Sequence, residues 1–397
     1  MPTFDLQQEI YHGILADLDT ANTLLSKTAS EYRNIVPKQD VIYRGDISKW
    51  QKFANSLALR YYMRLQAKEP TFAEEGIKRI VGNSARYPLI RVAGDDANIS
   101  FPGTSSATSN PLNTIYDLKP DGAYMRVKMG KTLVDVMQGY DDPRLGVWAN
   151  KIQIPLKLVA GTGIDRINNN GEREVSQDVV TKFEEENGMN VDFDPEYAGV
   201  PISHSLVQIF NMNSANAAQG TVNPHASQLH NRYRQTSDPL VLMRLISAAE
   251  TNLILAEAAF RGWIAGDPAE YYAEGVRESF RAWGVDGEFE DYIVNVPYDG
   301  LESVIEQKWI AHWTTAHEAW FDWRRTGLPA LKTGPAAVRP VLPIRWYYHT
   351  SDEIEKNRTN AEAAIERLEA TPYQGTDQSK NSAWSKMWLL QGTGKPW

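Results

Sequence analysis

The sequence predicts a mainly α protein, built from helical hairpins that a long, loop-rich region with minor β structure interrupts. Three observations carry that prediction. Apolar residues recur every three or four positions over about 5–86 and again over about 240–330. Between them, over about 87–239, Gly, Asn, Ser and Pro are frequent and no long run holds one period. Beyond about 331 the chain reads as loop and one short helix. At 397 residues it can bury a sizeable core, and residues 1–397 are read as one domain with these parts.

The elements follow in order. Leu6, Ile10, Ile14, Leu18, Ala21 and Leu25 predict a helix over roughly 5–26. Asp46 after Gly45 is placed to cap a second, whose stripe is Ile47, Trp50, Ala54, Leu57, Tyr61 and Leu65. A third starts at Thr71 and stops near Gly82. Residues 87–119 read as loop, "MRVKMGKTLVDVMQGY" as helix, "DDPRLGVW" as a turn and "KIQIPLKLVAG" as extended chain. Residues 161–236 predict irregular structure with short hairpin pieces. "SAAETNLILAEAAFRGW" and "DPAEYYAEGVRESFRAW" predict two helices in a hairpin, the second capped by Asp267 with Pro268 at its first position. The pair resembles one tetratricopeptide-type repeat, without a clean repeat period along the chain.

Leu301, Ile305, Trp309, Trp313, Ala316, Trp320 and Trp323 then predict one long helix ending at Gly327 and Pro329. Its tryptophans read as core. Arg324 and Arg325 read as ion-pair and dipole-capping residues of the last turn. A short helix is expected from Ser351, then a polar tail carrying Trp384, Trp388 and Trp397.

Composition narrows the function. A net charge of −9 without a basic run argues against nucleic acid as a partner. The absence of cysteine removes disulfides, thiolate nucleophiles and Cys-zinc sites. No stretch is long and apolar enough to span a bilayer. Neither a phosphate-binding glycine loop nor a nucleophile elbow is present, and His312 and His317, five apart, do not share a helical face. Asp192, Asp194 and Glu196 alternate as calcium ligands do, but an EF-hand would need Gly at Tyr197 and Glu at Ser203. Calcium there is therefore disfavoured, and no cofactor is expected. The 12 Trp, 18 Tyr and 11 Phe serve either cores or platforms for flat, ring-shaped ligands.

Several segments, in order along nearly the whole chain, carry a family resemblance: "FDLQQEIYHGILADLDTA", "GDISKWQKFANSLALRYYMRL", "DDPRL", "YAGVPIS", "AETNLILAEAAFRGW", "YYAEGVRESFRAWGV", "LESVIEQKWIAHW", "EAWFDWRRTGLP" and "LPIRWYYHTSDEIEKNRTN". The chain resembles the SusD/RagB family of nutrient-binding outer-membrane lipoproteins of Bacteroidetes, in its SusD-like branch. The resemblance implies degenerate tetratricopeptide-like hairpins and a surface protein that catches a glycan or other nutrient for a SusC-like TonB-dependent transporter. It also implies a signal peptide and a lipidated N-terminal cysteine. The sequence shows neither, and the expectation is that it starts inside a longer protein, without the family's first helices.

No family motif assigns ligand contacts here. Loop aromatics supply the candidates: Tyr116, Tyr124, Tyr140, Trp148, Tyr197 and Tyr233, with Asn113, Asn211, Asn231 and Arg232 as polar partners. Two other functions stay open at this level: a tetratricopeptide-like scaffold that binds only proteins, and a helical glycoside hydrolase with two carboxyls across a cleft.

Overall fold

The computed structural model describes residues 3–116, 122–214, 222–377, 379–395 and 397. The fold is mainly α, as the periodicity predicts. Helix α1 (Gln7–Leu25) packs on α2 (Ile47–Leu65), and α2 on α3 (Pro70–Val81). Asp46 caps α2, its carboxylate accepting the Lys49 N–H at 3.2 Å. α3 begins at Pro70, one residue before the expected Thr71, because proline's fixed φ suits the first helical position and it gives up a donor that would go unused.

The loop-rich part is tied to the helices by a two-stranded antiparallel sheet, β1 (Ala97–Ser100) with β5 (Leu242–Ile246). After β1 come three short helices, α4 (Ala123–Arg126), α5 (Lys131–Gly139) and α6 (Arg144–Trp148). The expected turn "DDPRLGVW" is thus helical in its second half. Asp142 accepts the Arg144 N–H at 3.0 Å and pairs with the fully buried Arg144 guanidinium, which starts the turn of helix. A three-stranded sheet follows, in the order β2 (Leu156–Val159), β4 (Arg173–Ser176), β3 (Asp165–Ile167), and β4 leads straight into α7 (Gln177–Asn187). The expectation of irregular structure over 161–236 is corrected at α7. Gly188 ends that helix in the left-handed region at φ +61°.

The second helical part holds α8 (Ala248–Phe260), α9 (Pro268–Ala282), α10 (Phe289–Asn295), α11 (Gly300–Ala311) and α12 (Ala316–Thr326). α8 and α9 form the predicted hairpin, with Asp267 capping α9. They approach closely at Gly275, where a Cβ would stand 2.6 Å from Leu253. Leu253, Ile254 and Leu255 are all buried, because α8 has neighbours on every side. It packs on α2 and α11 besides α9.

The single long helix expected over 301–325 is two helices. His312–Thr315 form a turn in which the Thr315 N–H donates to the His312 carbonyl at 2.8 Å and the Thr315 hydroxyl lies 2.9 Å from His312 Nδ1. The tryptophan stripe is accordingly divided. Trp309 and Trp313 pack on the core around Trp148, whereas Trp323 stacks on Trp397, ring centroids 4.5 Å apart. Gly327 ends α12 as predicted, at φ +83°, its N–H donating to Trp323 O at 2.7 Å.

A buried ion network joins α2, α8, α11 and α12. Arg60 pairs with Glu250, Arg64 with Glu318, Lys308 with Asp322, and Arg325 with both Glu257 and Asp322. Burial alone would raise the Asp322 carboxyl, but Lys308 and Arg325 outweigh it and hold it below the usual carboxylate range.

The C-terminal chain returns over α1 and α12. It carries a single π turn (Thr350–Ile354) and α13 (Arg358–Glu366), where a helix from Ser351 was expected. The Gln7 carboxamide oxygen accepts the Leu389 N–H at 3.0 Å, and Arg367 Nη2 donates to Phe4 O at 3.0 Å. These contacts bring the first and last parts of the chain to the two sides of one cavity.

Candidate functional site

A cavity of about 1010 Å³ lies among the start of α1, the outer face of α12, the segment 345–348, α13 and residues 387–391. Its walls are aromatic. Trp320 and Phe321 come from α12, Trp346 and Tyr348 from the segment after it, Trp388 from the tail and Tyr11 from α1. Trp346 is 82% exposed and stands edge-on to Trp320, centroids 6.3 Å apart. The Trp320 indole N–H donates to Pro343 O at 2.8 Å, which fixes the ring plane. The segment bearing Trp346 is held from behind, since the Ile344 and Arg345 N–H groups both donate to Ala383 O.

Polar groups punctuate this wall. The Arg324 guanidinium lies over Trp320 at 4.2 Å and Phe321 at 4.6 Å, with Nη1 donating to Ile344 O at 2.8 Å. Burial pulls its pKa down to about 10, with a lesser contribution from Arg64, against smaller upward pulls from Tyr11 and Glu318. Arg345 is likewise lowered by burial, and its Nη1 donates to Ser382 O at 3.0 Å. Arg367, Gln7 and Gln391 add hydrogen-bonding groups at the rim. Aromatic faces beside a few polar groups suit a sugar, whose ring presents C–H faces to stack and hydroxyls to bond.

The reading of all the tryptophans of "EAWFDWRRTGLP" as core is corrected here. Trp323 is buried, but Trp320 is half-buried on the cavity wall. The two arginines diverge as well, because neighbours on a helix point about 100° apart. Arg325 enters the ion network, while Arg324 faces the cavity. The signal available in the sequence was the Trp320–Arg324 spacing of four, which puts both on one helical face.

The loop candidates do not gather into one cleft. Tyr124, Trp148 and Tyr233 share a core: Trp148 stacks on Trp313 at 5.1 Å, Tyr233 OH accepts the Trp313 indole N–H at 2.9 Å, and Tyr124 OH donates to Leu229 O at 2.6 Å. Asn211 is buried, accepting the Asp192 N–H and donating to His225 O, and Asn113 is buried against Asn110 O. These five expected ligand contacts lie in the interior: each is enclosed, and every hydrogen bond named here is internal.

Tyr116 and Asn231 remain exposed and Arg232 half-buried, on two loops joined by the Thr114 N–H to Arg234 O bond at 3.0 Å. Arg232 lies 3.5 Å from Asp238. Tyr140 is half-buried in a separate cleft of about 480 Å³, where its hydroxyl donates to Glu306 and burial pushes it up to about 12. Tyr197 is half-buried beside Gly146. Of the calcium candidates, Asp192 pairs with Lys131 at 3.1 Å, Glu196 pairs with Lys151, and Asp194 accepts the N–H groups of Glu196 and Tyr197. Among the described residues no group of three or more His, Asp or Glu is placed to hold a metal ion.

Comparison with known proteins places this architecture. The SusD-like family model described as "starch-binding associating with outer membrane" matches residues 1–349. A chitin-binding protein of solved structure is similar at 25% identity and a TM-score of 0.70, over 98% of this chain and 74% of that one. An outer-membrane protein of Bacteroides vulgatus, for which nutrient binding has been suggested, matches at 24% identity and TM-score 0.69, over 98% and 77%. A SusD-like protein of Bacteroides thetaiotaomicron matches at 23% and 0.65, over 98% and 74%. No curated protein matches the sequence.

Proposed function

Since the chain belongs to the SusD-like family, starch-binding proteins that associate with the outer membrane, we propose that it captures a glycan at the bacterial surface and delivers it, uncleaved, to a SusC-like TonB-dependent transporter. The observation that carries the reading is the aromatic cavity, where Trp320, Trp346, Trp388 and Tyr348 offer ring faces beside arginine and glutamine side chains. Chitin binding by a relative of the same fold supports a saccharide ligand.

Capture without cleavage is favoured by the lining. Hydrolysis of a glycosidic bond generally takes two carboxyls, about 5 Å apart or about 6.5–9.5 Å apart. Asp5 is the one carboxylate on the cavity wall among the described residues. No helix among the described residues is long and apolar enough to cross a membrane, and attachment is assigned, on the family resemblance, to a lipidated cysteine that is not part of this cysteine-free sequence.

Affinity electrophoresis against soluble polysaccharides, with reducing ends measured in the same samples, tests this reading. Retardation by a glycan without new reducing ends is expected. New reducing ends would make the protein a hydrolase, and no retardation by any glycan would remove the capture function.

A further inference from the structure

We propose that the aromatic cavity selects acidic saccharides, with Arg324 as the anchor for a ligand carboxylate. The inference rests on the capture reading and names the class of glycan. The whole chain carries a net charge of −9, yet among the described residues the charged groups on the cavity wall are Arg324, Arg345 and Arg367 against the single carboxylate of Asp5. A basic pocket in an acidic protein attracts anions locally, where the field of the rest of the surface would repel them.

Arg324 is the specific observation. It is 5% exposed, and its Nε is enclosed without a hydrogen-bond partner, as is the Nε of Arg325; the two differ in the partners of their terminal nitrogens. Its neighbour Arg325 has Glu257 at 2.7 Å and Asp322 at 2.8 Å. Arg324 has only the neutral carbonyl of Ile344 and the thioether of Met387 at 3.8 Å, and no carboxylate within 4.0 Å among the described residues. The nearby Glu318 is committed to Arg64 and Arg60.

Removing a guanidinium from water without a counter-charge is unfavourable, and a carboxylate delivered by a ligand would offset that cost. The guanidinium is also oriented. Its Cζ sits over the Trp320 and Phe321 rings at 4.2 and 4.6 Å, so a sugar stacked on the Trp346 side of the cavity would carry its carboxyl toward a fixed cation.

The test uses the purified chain with galacturonate, glucuronate and sialate oligosaccharides, each beside its carboxyl methyl ester, followed by tryptophan fluorescence. Esterification removes the charge and keeps the ring. At least one acid is expected to bind about tenfold or more tightly than its ester. That preference should shrink in high salt and vanish in Arg324→Gln, checked for folding by circular dichroism. Arg367→Gln, at an exposed site, should weaken the acid and spare the ester.

Equal binding of acid and ester, or binding of neutral glucan or chitin oligosaccharides alone, would overturn acid selection and leave glycan capture standing. Binding of no saccharide would overturn both. Binding of an acidic peptide but not of any saccharide would replace the ligand class.

Discussion

Arg324 and Arg325 are adjacent, chemically identical and differently employed. Arg325 is enclosed with Glu257, itself fully buried, and with Asp322. Truncating it leaves Glu257 with Arg261 alone and Asp322 with Lys308 as its close cation, so Arg325→Met, which breaks two buried pairs at once, is expected to cost about 3 kcal/mol of stability. Arg324→Met removes a buried cation that has no carboxylate partner, and a much smaller change is expected. Urea denaturation of both variants measures the contrast; equal losses would mean that the two guanidinia share one role. The sequence could not separate them by type, only by the helical angle between them.

At the scale of elements, helix ends were legible where local chemistry sets them. Asp46, Asp267 and Gly327 each occupy the capping position expected of them. The break at His312–Thr315 was not legible, because the apolar spacing runs straight through it and the side-chain bond that stabilises the turn forms only in the fold. Trp148 and Tyr233 read as loop aromatics for a related reason. Their segments lack a helical period, and only the packing of distant chain shows that they meet Trp313.

The join between the loop-rich part and α8 carries a pH prediction. Asp96 accepts the Ala248 N–H at 2.7 Å, and burial pushes its carboxyl up to about 7, despite that bond and the charge of Arg244. Unfolded, it titrates near about 3.9. Between these values the folded state holds the proton and the unfolded state does not, so this group's contribution falls as pH rises from about 4 to about 7. Asp96→Asn, which keeps an acceptor for Ala248, should gain stability relative to the parent across that window. Parallel stability curves would show that Asp96 is ionised in the fold. At the α8–α9 crossing, Gly275→Ala would set a methyl 2.6 Å from Leu253 and 3.2 Å from Ala249 O, and a loss of about 1–3 kcal/mol is expected in the same assay.

For the whole molecule, order of segments was the strongest signal. Separated motifs pointed to one family fold, and the match of residues 1–349 to the SusD-like model bears this out. The binding surface was harder to read, because the cavity is assembled from three parts of the chain remote in sequence: the start of α1, α12 with its following segment, and the tail. Loop aromatics were a reasonable guide to stacking chemistry, but in this fold several of them fill a core, while Trp346, in a segment read only as loop, stands 82% exposed at the cavity.

Trp346 gives the most direct test of the central claim, that this aromatic cavity captures a glycan without cleaving it. Calorimetric titration of the best-retarded glycan into the parent and Trp346→Ala proteins, with reducing ends assayed in the recovered sample, decides it. A stable parent-like fold, roughly 2- to 10-fold weaker binding in the variant and no new reducing ends are predicted, the size expected for loss of one aromatic contact. Unchanged affinity in Trp346→Ala would place the ligand elsewhere, and release of reducing ends would contradict capture.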